Sequence, residues 1–393
     1  MREAVVVAYG RSAIGKSPKG TLKDTRPEDF AAQVIKGVLA KIPTFDPALI
    51  DDIILGCAFQ EAETGTNVAR NIALLADIPE SVPAQTVNRF CSSGLQSIAM
   101  GANAIMAGQA DVILAGGVET MSMIPMGGNL NVPVVSLAEA MPTAMTAMGN
   151  TAENVAAKYG ITREMQDAFA LKSHQKAEAA QNAGKFDDEI ITVDAVKFRM
   201  NHATGHVEKY TESFSKDEGI RYGLTLEQLQ KLKSVFQKDG TVTAGNASQM
   251  NDAASVVLIM AKEKAEALGL KPIAKFVAFA VAGCAPDYMG MGPVYAVPKA
   301  LKLAGLKQED IDLWELNEAF SAQALACIQE LGLDQTKVNP NGGGVALGHP
   351  LGCTGAMLTC KLLSELKRSG KKYGVVSMCI GGGMGAAGVY EML

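Results

Sequence analysis

The sequence predicts an α/β protein made of two similar halves with a loop domain inserted between them. Two stretches share one pattern, Pro47 to Gly56 and Gln308 to Asn317, each a turn feeding an apolar strand. Each is preceded by a strand and an amphipathic helix, and followed by a Gly/Ser/Cys-rich loop, a helix and a strand ending in glycines. Composition shifts from about residue 120 to 245, which separates the two units. Strands alternating with helices imply mostly parallel sheets covered by helices, with ligands at the carboxyl ends of strands.

The first half reads as a strand at Ala4 to Ala8, a helix at Phe30 to Ala40 and a strand ending at Gly56. A loop and helix follow from Cys91 to Gly108, then a strand at Val112 to Gly117. The second half repeats this order with Lys275 to Ala280, Val297 to Ala304, the strand before Asn317, His349 to Lys367, and Val375 to Gly383. Between them lie a Met-rich opening (Met121 to Met148), a helical stretch from Ala152 to Ala183 and polar sequence from Asn201 to Tyr222. Ordinary packing accounts for such methionines, since Met fills irregular gaps. An insertion this long usually serves a function or acts as a lid. The expected division is 1–119 with 246–270 for the first half, 120–245 for the insertion and 271–393 for the second half.

At 393 residues and 48% hydrophobic, the chain can bury a large core. A net charge of −5 with scattered Lys and Arg provides no basic stripe, so nucleic acid is not an expected partner and a phosphate-bearing ligand needs a local pocket. No apolar run reaches the roughly 18 residues of a membrane helix, so membrane insertion is not expected. Seven cysteines without a CxxC pair or a secretory signal suggest reduced thiols in the cytoplasm.

Several motifs fail their context. Gly383 to Gly388 matches GxGxxG, but only five residues follow where a dinucleotide site needs a helix and a distant acid. Gly10 to Ser17 matches the P-loop formula, yet Pro18 and Gly20 interrupt the helix that should bind phosphate. His202 and His206 are four residues apart, but Thr204 and Gly205 between them favour a solvated loop over a metal site, and no metal is expected.

Cys91 differs from these. Leu95, Ile98, Ala99, Ala102, Ile105 and Met106 recur at helical spacing after it, which puts the thiol at or just before a helix N-terminus. The dipole and free N–H groups there are expected to lower its pKa from about 8.5. The bland alternative, a small buried cysteine, fits poorly with the Ser-Ser-Gly that follows. A thiol nucleophile wants a base, and of the four histidines only His349 lies in a glycine-bounded turn before a helix, the position corresponding to Cys91 in the second repeat. Cys379 ends the last strand, where a second thiol can exchange a proton with carbon and the following glycines can bring N–H groups to an oxyanion.

Asn-Arg-Phe-Cys-Ser-Ser-Gly at Asn88 to Gly94, Asn-Glu-Ala-Phe at Asn317 to Phe320, Gly348 to Gly355 and Cys379 to Gly385 together resemble the four signature blocks of the thiolases. Gly116 to Ser122 and Thr243 to Ser248 match further family blocks, so the likeness spans nearly the whole chain. The resemblance implies a layered α/β/α/β/α fold and acyl transfer between coenzyme A thioesters. It makes Cys91 the acyl-carrying nucleophile, His349 its activating base and Cys379 the acid and base toward the α-carbon. Asn317, through a water, and His349 would form one oxyanion hole, and the N–H groups of Cys91 and Gly381 the other. Ser248, Arg221 and Met148 are the implied contacts to CoA, a co-substrate rather than a resident cofactor. A surface salt bridge is the alternative reading of Arg221. Ala147 before Met148-Gly149, where the biosynthetic branch usually has histidine, favours degradative 3-ketoacyl-CoA cleavage, with condensation of acetyl-CoA as the alternative. The implied assembly is a homodimer or homotetramer, with a β-oxidation enzyme as a possible partner. A ketoacyl synthase, which generally lacks the second cysteine, and a non-catalytic acyl-CoA-binding relative are the rival readings.

Overall fold

The computed structural model describes residues 2–130, 132–201 and 204–393. Strands β1 (Ala4–Ser12), β2 (Asp52–Gly56), β3 (Ala84–Val87) and β4 (Val112–Thr120) belong to the first half. Strands β5 (Val193–Asn201) and β6 (His206–Phe214) form a separate hairpin in the insertion. Strands β7 (Asn251–Ala261), β8 (Ala274–Gly283), β9 (Leu313–Leu316), β10 (Tyr373–Ile380) and β11 (Met384–Met392) complete the framework. The principal helices are α1 (Pro27–Leu39), α2 (Val68–Leu75), α3 (Ser93–Met106), α4 (Met148–Tyr159), α5 (Arg163–Asn182), α6 (Gly292–Ala304), α7 (Ser321–Leu331) and α8 (Leu351–Ser369).

Outside the hairpin the strands run in the order β9-β10-β11-β8-β1-β7-β4-β2-β3. The order shows the internal repeat. From the centre outward, β1-β7-β4-β2-β3 on one side matches β8-β11-β10-β9 on the other, and a parallel bridge from Trp314 to Val338 stands where β3 would be. The two halves meet edge to edge at Val5 with Lys275 and Val6 with Ala274.

Parallel pairing is found toward the outer edges, where β3-β2-β4 and β10-β9 pair, and in a short pairing of Arg11 and Ser12 of β1 with Ile190 and Ile191. The pairings among the long central strands are antiparallel. The reason lies in the connections. The link between β10 and β11 is three glycines, Gly381 to Gly383, and so short a turn can only make a hairpin. Gly382 and Gly383 both have φ of +84°, a conformation that favours glycine. The GxGxxG pattern is therefore a turn entering a strand.

Helices α3 and α8 pack against each other between the two halves, and α1 and α6 cover the outer faces, giving five layers. The central core joins Leu95, Ile98 and Ala102 of α3 to Cys353, Met357 and Leu358 of α8. Small residues allow the crossing: a Cβ on Gly355 would lie 2.3 Å from the Leu95 N, and one on Gly94 would lie 2.9 Å from the Gly352 O. The insertion's helical stretch is two helices, because Gly160 ends α4 in a left-handed cap. Among the described residues no helix is long and apolar enough to cross a membrane.

Candidate active site

Each proposed chemical residue lies at the end of a framework element. A short 3-10 turn, Phe90–Ser92, carries Cys91 to the start of α3. Two N–H groups face its sulfur, its own and that of Gly381. Cys379 is near the end of β10, fully buried, with Cys91 among the groups that act on it electrostatically. Asn317 follows β9 directly, and its N–H donates to the Ser377 O at 2.9 Å, which ties it to the strand of Cys379. His349 lies two residues before α8, and Leu351 of α8 shares a small apolar cluster with Cys91, Ala58, Phe59 and Met121. The two halves thus contribute to one site.

His349 is held on three sides. Its N–H donates to the Asn251 Oδ1 at 2.9 Å, its Nδ1 is 2.6 Å from the Thr354 Oγ1 and its Nε2 is 3.3 Å from the Asn317 Nδ2. The Thr354 hydroxyl already donates to the Pro350 O at 2.8 Å, so it must accept from Nδ1–H. That assigns the tautomer and leaves Nε2 as an acceptor facing Asn317. Burial pulls the imidazole down to about 4, so it is neutral near pH 7 and can serve as a base.

The thiol of Cys91 departs from expectation. Burial pushes it up to about 11 although two N–H groups pull the other way. Part of the residue still contacts solvent, but the protein packed around the sulfur withholds the water a thiolate needs. The helix N-terminus therefore does not produce a standing thiolate. Burial also holds Cys379 well above the usual thiol range, with Cys91 adding to the shift. In the resting state both thiols are protonated.

The CoA candidates fall into two places. Met148 packs beside Cys379, Ala319 and Phe320, at the reactive end. Arg221 lines an open cleft of about 370 Å³ with Tyr222, Leu224, Gln228, Leu229 and Leu232. Its guanidinium donates to the Ala244 O at 3.2 Å rather than to a carboxylate, contrary to a surface ion pair. One segment links these places: Ala244 touches Arg221, Ala247 lies in the Cys379 cluster, the Ser248 N–H donates to the Ala319 O and the Gln249 O accepts from the His349 N–H. Ser248 stands midway along it. Of the histidine pair set aside earlier, His202 lies outside the described residues, and His206 opens β6 exposed to solvent.

Sequence reasoning missed Glu119, Asn251 and Thr354, all of which lie in or beside the quoted blocks. Glu119 is buried and accepts from the N–H groups of Ala58 at 2.9 Å, Gly352 at 2.7 Å and Phe59 at 3.4 Å, and from the Cys57 thiol at 3.6 Å. Burial pushes its carboxyl up to about 7, against the pull of those donors. An acid directly after the apolar run Val112 to Val118, still within the strand, was the available signal.

A duplicated, five-layered α/β framework with two thiols, an imidazole and a buried amide converging between its halves defines a class of acyl-transferring enzymes. Residues 4–263 match the family described as thiolase, N-terminal domain, and residues 270–392 the thiolase, C-terminal domain. The chain is 53% identical over 392 residues to a 3-ketoacyl-CoA thiolase of Bacillus subtilis (strain 168), covering 100% of both chains. It is 48% identical over 394 residues to the peroxisomal 3-ketoacyl-CoA thiolase of Homo sapiens, covering 98% of this chain and 90% of that one. Among solved structures it resembles the Bacillus anthracis acetyl-CoA acetyltransferase, with TM-score 0.89, 42% identity and coverage of 100% and 99%. Human mitochondrial 3-ketoacyl-CoA thiolase is similar at TM-score 0.89 and 40% identity, with the same coverage. The chain belongs to the thiolase family.

Proposed function

We propose that this protein cleaves 3-ketoacyl-CoA with CoA, yielding acetyl-CoA and an acyl-CoA shortened by two carbons, as a step of fatty-acid β-oxidation. The observation that carries the reading is the meeting of Cys91 and Cys379 from opposite halves, with the Gly381 N–H on the Cys91 sulfur and the unprotonated His349 Nε2 facing the Asn317 amide. The names of the relatives at 53% and 48% identity support it.

In this mechanism His349 Nε2 takes the Cys91 proton as sulfur attacks the 3-keto carbon. The carbon–carbon bond then breaks, the acyl group stays on Cys91 and Cys379 protonates the departing acetyl-CoA enolate. As the thiol of CoA attacks the acyl-cysteine it gives its proton to the Cys379 thiolate; the acyl group passes to CoA, and His349 returns its proton to the Cys91 sulfur as that sulfur leaves. The N–H groups of Cys91 and Gly381 stabilise one oxyanion, and His349 with an Asn317-positioned water stabilises the other. A preorganised donor is worth about 3 kcal/mol at such a step. The acyl-enzyme predicts ping-pong kinetics. CoA binds as a co-substrate, its reactive end beside Met148, its pantetheine along Ser248 and its nucleotide end in the Arg221 cleft.

The reverse condensation of two acetyl-CoA is the second reading, favoured by the structural likeness to an acetyl-CoA acetyltransferase. The test is CoA-dependent loss of the 3-ketoacyl-CoA chromophore from C4 to C16, with Cys91→Ala and Cys379→Ala beside the wild type. Turnover at C6 and beyond, lost in both variants, supports cleavage; activity confined to C4 supports the second reading, and none at all refutes both. The proposal extends to a homodimer or homotetramer in a reducing cytoplasm, alongside a β-oxidation partner enzyme. The seven free cysteines favour the reducing compartment, and the edge strand β3, paired among the described residues with β2 alone, offers a surface for self-association.

A further inference from the structure

We propose that the segment Arg11 to Thr21, the end of β1 and the turn after it, is a positioning device that fixes the Arg221 cleft and so sets affinity for the nucleotide end of CoA; this rests on the reading of that cleft given above. The P-loop look-alike in this turn does bind an anion, but the anion is a side chain of the protein. The Lys16 N–H donates to the Glu218 Oε2 at 2.9 Å, the Thr21 N–H to both carboxylate oxygens at 3.1 Å and the Thr21 hydroxyl to Oε1 at 2.5 Å. A Cβ at Gly20 would lie 2.3 Å from that carboxylate and 2.4 Å from the Lys16 N, so the turn closes on Glu218 without room for a side chain there.

The neighbouring residue is held as firmly. Asp217 accepts from the Ile14 N–H at 2.8 Å and from the Arg11 guanidinium at 2.8 and 3.0 Å, and Arg11 also pairs with Glu189. The Glu218 N–H returns a bond to the Ile14 O at 3.1 Å. Beyond the turn, the Gly219 O accepts from the Gln249 Nε2 at 2.7 Å, and the Arg221 N–H donates to the His174 Nδ1 at 3.1 Å. Arg221 is thus three residues from a carboxylate clamped by a turn some 200 positions earlier in the chain. Its guanidinium reaches the Ala244–Ser248 segment only if residues 217–221 keep this path.

Arg11 and Asp217 are fully buried, whereas Thr21 and Glu218 are half-buried and suit substitution. Glu218→Gln and Thr21→Val are compared with wild type using CoA and using N-acetylcysteamine, a thiol acceptor without the nucleotide, with thermal unfolding measured in parallel. The expected result is a KM for CoA raised about tenfold in Glu218→Gln, and less in Thr21→Val, with kcat within twofold. Values of kcat/KM for N-acetylcysteamine remain within twofold, and adding Arg221→Ala to Glu218→Gln raises the KM for CoA no further. Equal losses on both acceptors, or an unchanged KM for CoA, overturn the proposal. Should Arg221→Ala alone leave the KM for CoA unchanged, the nucleotide reading of the cleft fails and the proposal with it. Should it raise KM while the turn variants do not, only the positioning role fails.

Discussion

At the scale of single residues, burial governs the site more than the helix N-terminus does. With the Cys91 thiol near 11 and the His349 imidazole near 4, the resting pair at neutral pH is thiol and imidazole, not thiolate and imidazolium. Alkylation of Cys91 by iodoacetamide, followed by peptide mapping, is therefore expected to accelerate about tenfold per pH unit from 7 to 10, as the thiolate fraction does. A plateau below pH 8 would reveal a standing ion pair and contradict this electrostatics. Asn317 acts on a different step. Its Nδ2 faces His349 and its buried Oδ1 makes no hydrogen bond among the described residues, so it is placed to orient a polar group of the substrate or solvent. Asn317→Ala is expected to lower kcat about a hundredfold while leaving the alkylation rate of Cys91 within threefold. Parallel loss of both would mean that the substitution deforms the cysteine turn as well.

At the scale of elements, the crossing of α3 and α8 brings the two halves of the site together. Each helix starts at a catalytic turn, and the two starts approach so closely that Gly94 and Gly355 leave no space for a Cβ, while Gly117 of β4 meets the start of α8 as tightly. Glu119 reinforces the junction by accepting from Gly352 in the first turn of α8 and from the Ala58–Phe59 loop. Gly355→Ala is expected to destabilise the protein by about 3 kcal/mol in urea titrations, because the backbone of α3 must shift to admit the methyl group. Gly305→Asn, at a left-handed helix cap with open space around it, is the control and is expected to cost less than about 1 kcal/mol. Similar costs at both positions would show that the crossing has slack. The sequence made α3 legible through its 3.6-residue period, and the repeat legible through its twin turn-strand patterns. It did not reveal the central antiparallel pairings, because a long connection permits either strand direction: β7 joins β1 and β4 across the whole insertion.

At the scale of the whole molecule, the motif residues were legible because their chemistry is local, whereas the contacts that align them are not. Nothing near Lys16 announces Glu218, and nothing near His174 announces Arg221; each pair is separated by a long stretch of chain and is joined only after folding. The buried histidines also tie the fold to pH. His174 links α5 of the insertion to the segment carrying Arg221, and His349 joins the second half to the site; burial pulls both down to about 4 from an ordinary 6.5. A histidine with a depressed folded pKa favours the folded state most while it is neutral. Its contribution is complete above about pH 6.5 and is lost as pH falls toward 4, because the unfolded chain takes up a proton that the folded chain refuses. For each histidine the loss between pH 7.5 and 5 is about 2 kcal/mol. Glu119, held up near 7, contributes in the opposite sense over part of this range, so the raw stability curve mixes the two effects. The difference between wild type and His174→Gln isolates one group: wild type is expected to lose about 2 kcal/mol relative to the variant when urea unfolding is repeated at pH 5 instead of 7.5. A difference that does not change with pH would mean that His174 takes up its proton as easily in the folded protein as in the unfolded chain, and that its burial does not couple the insertion to acid unfolding.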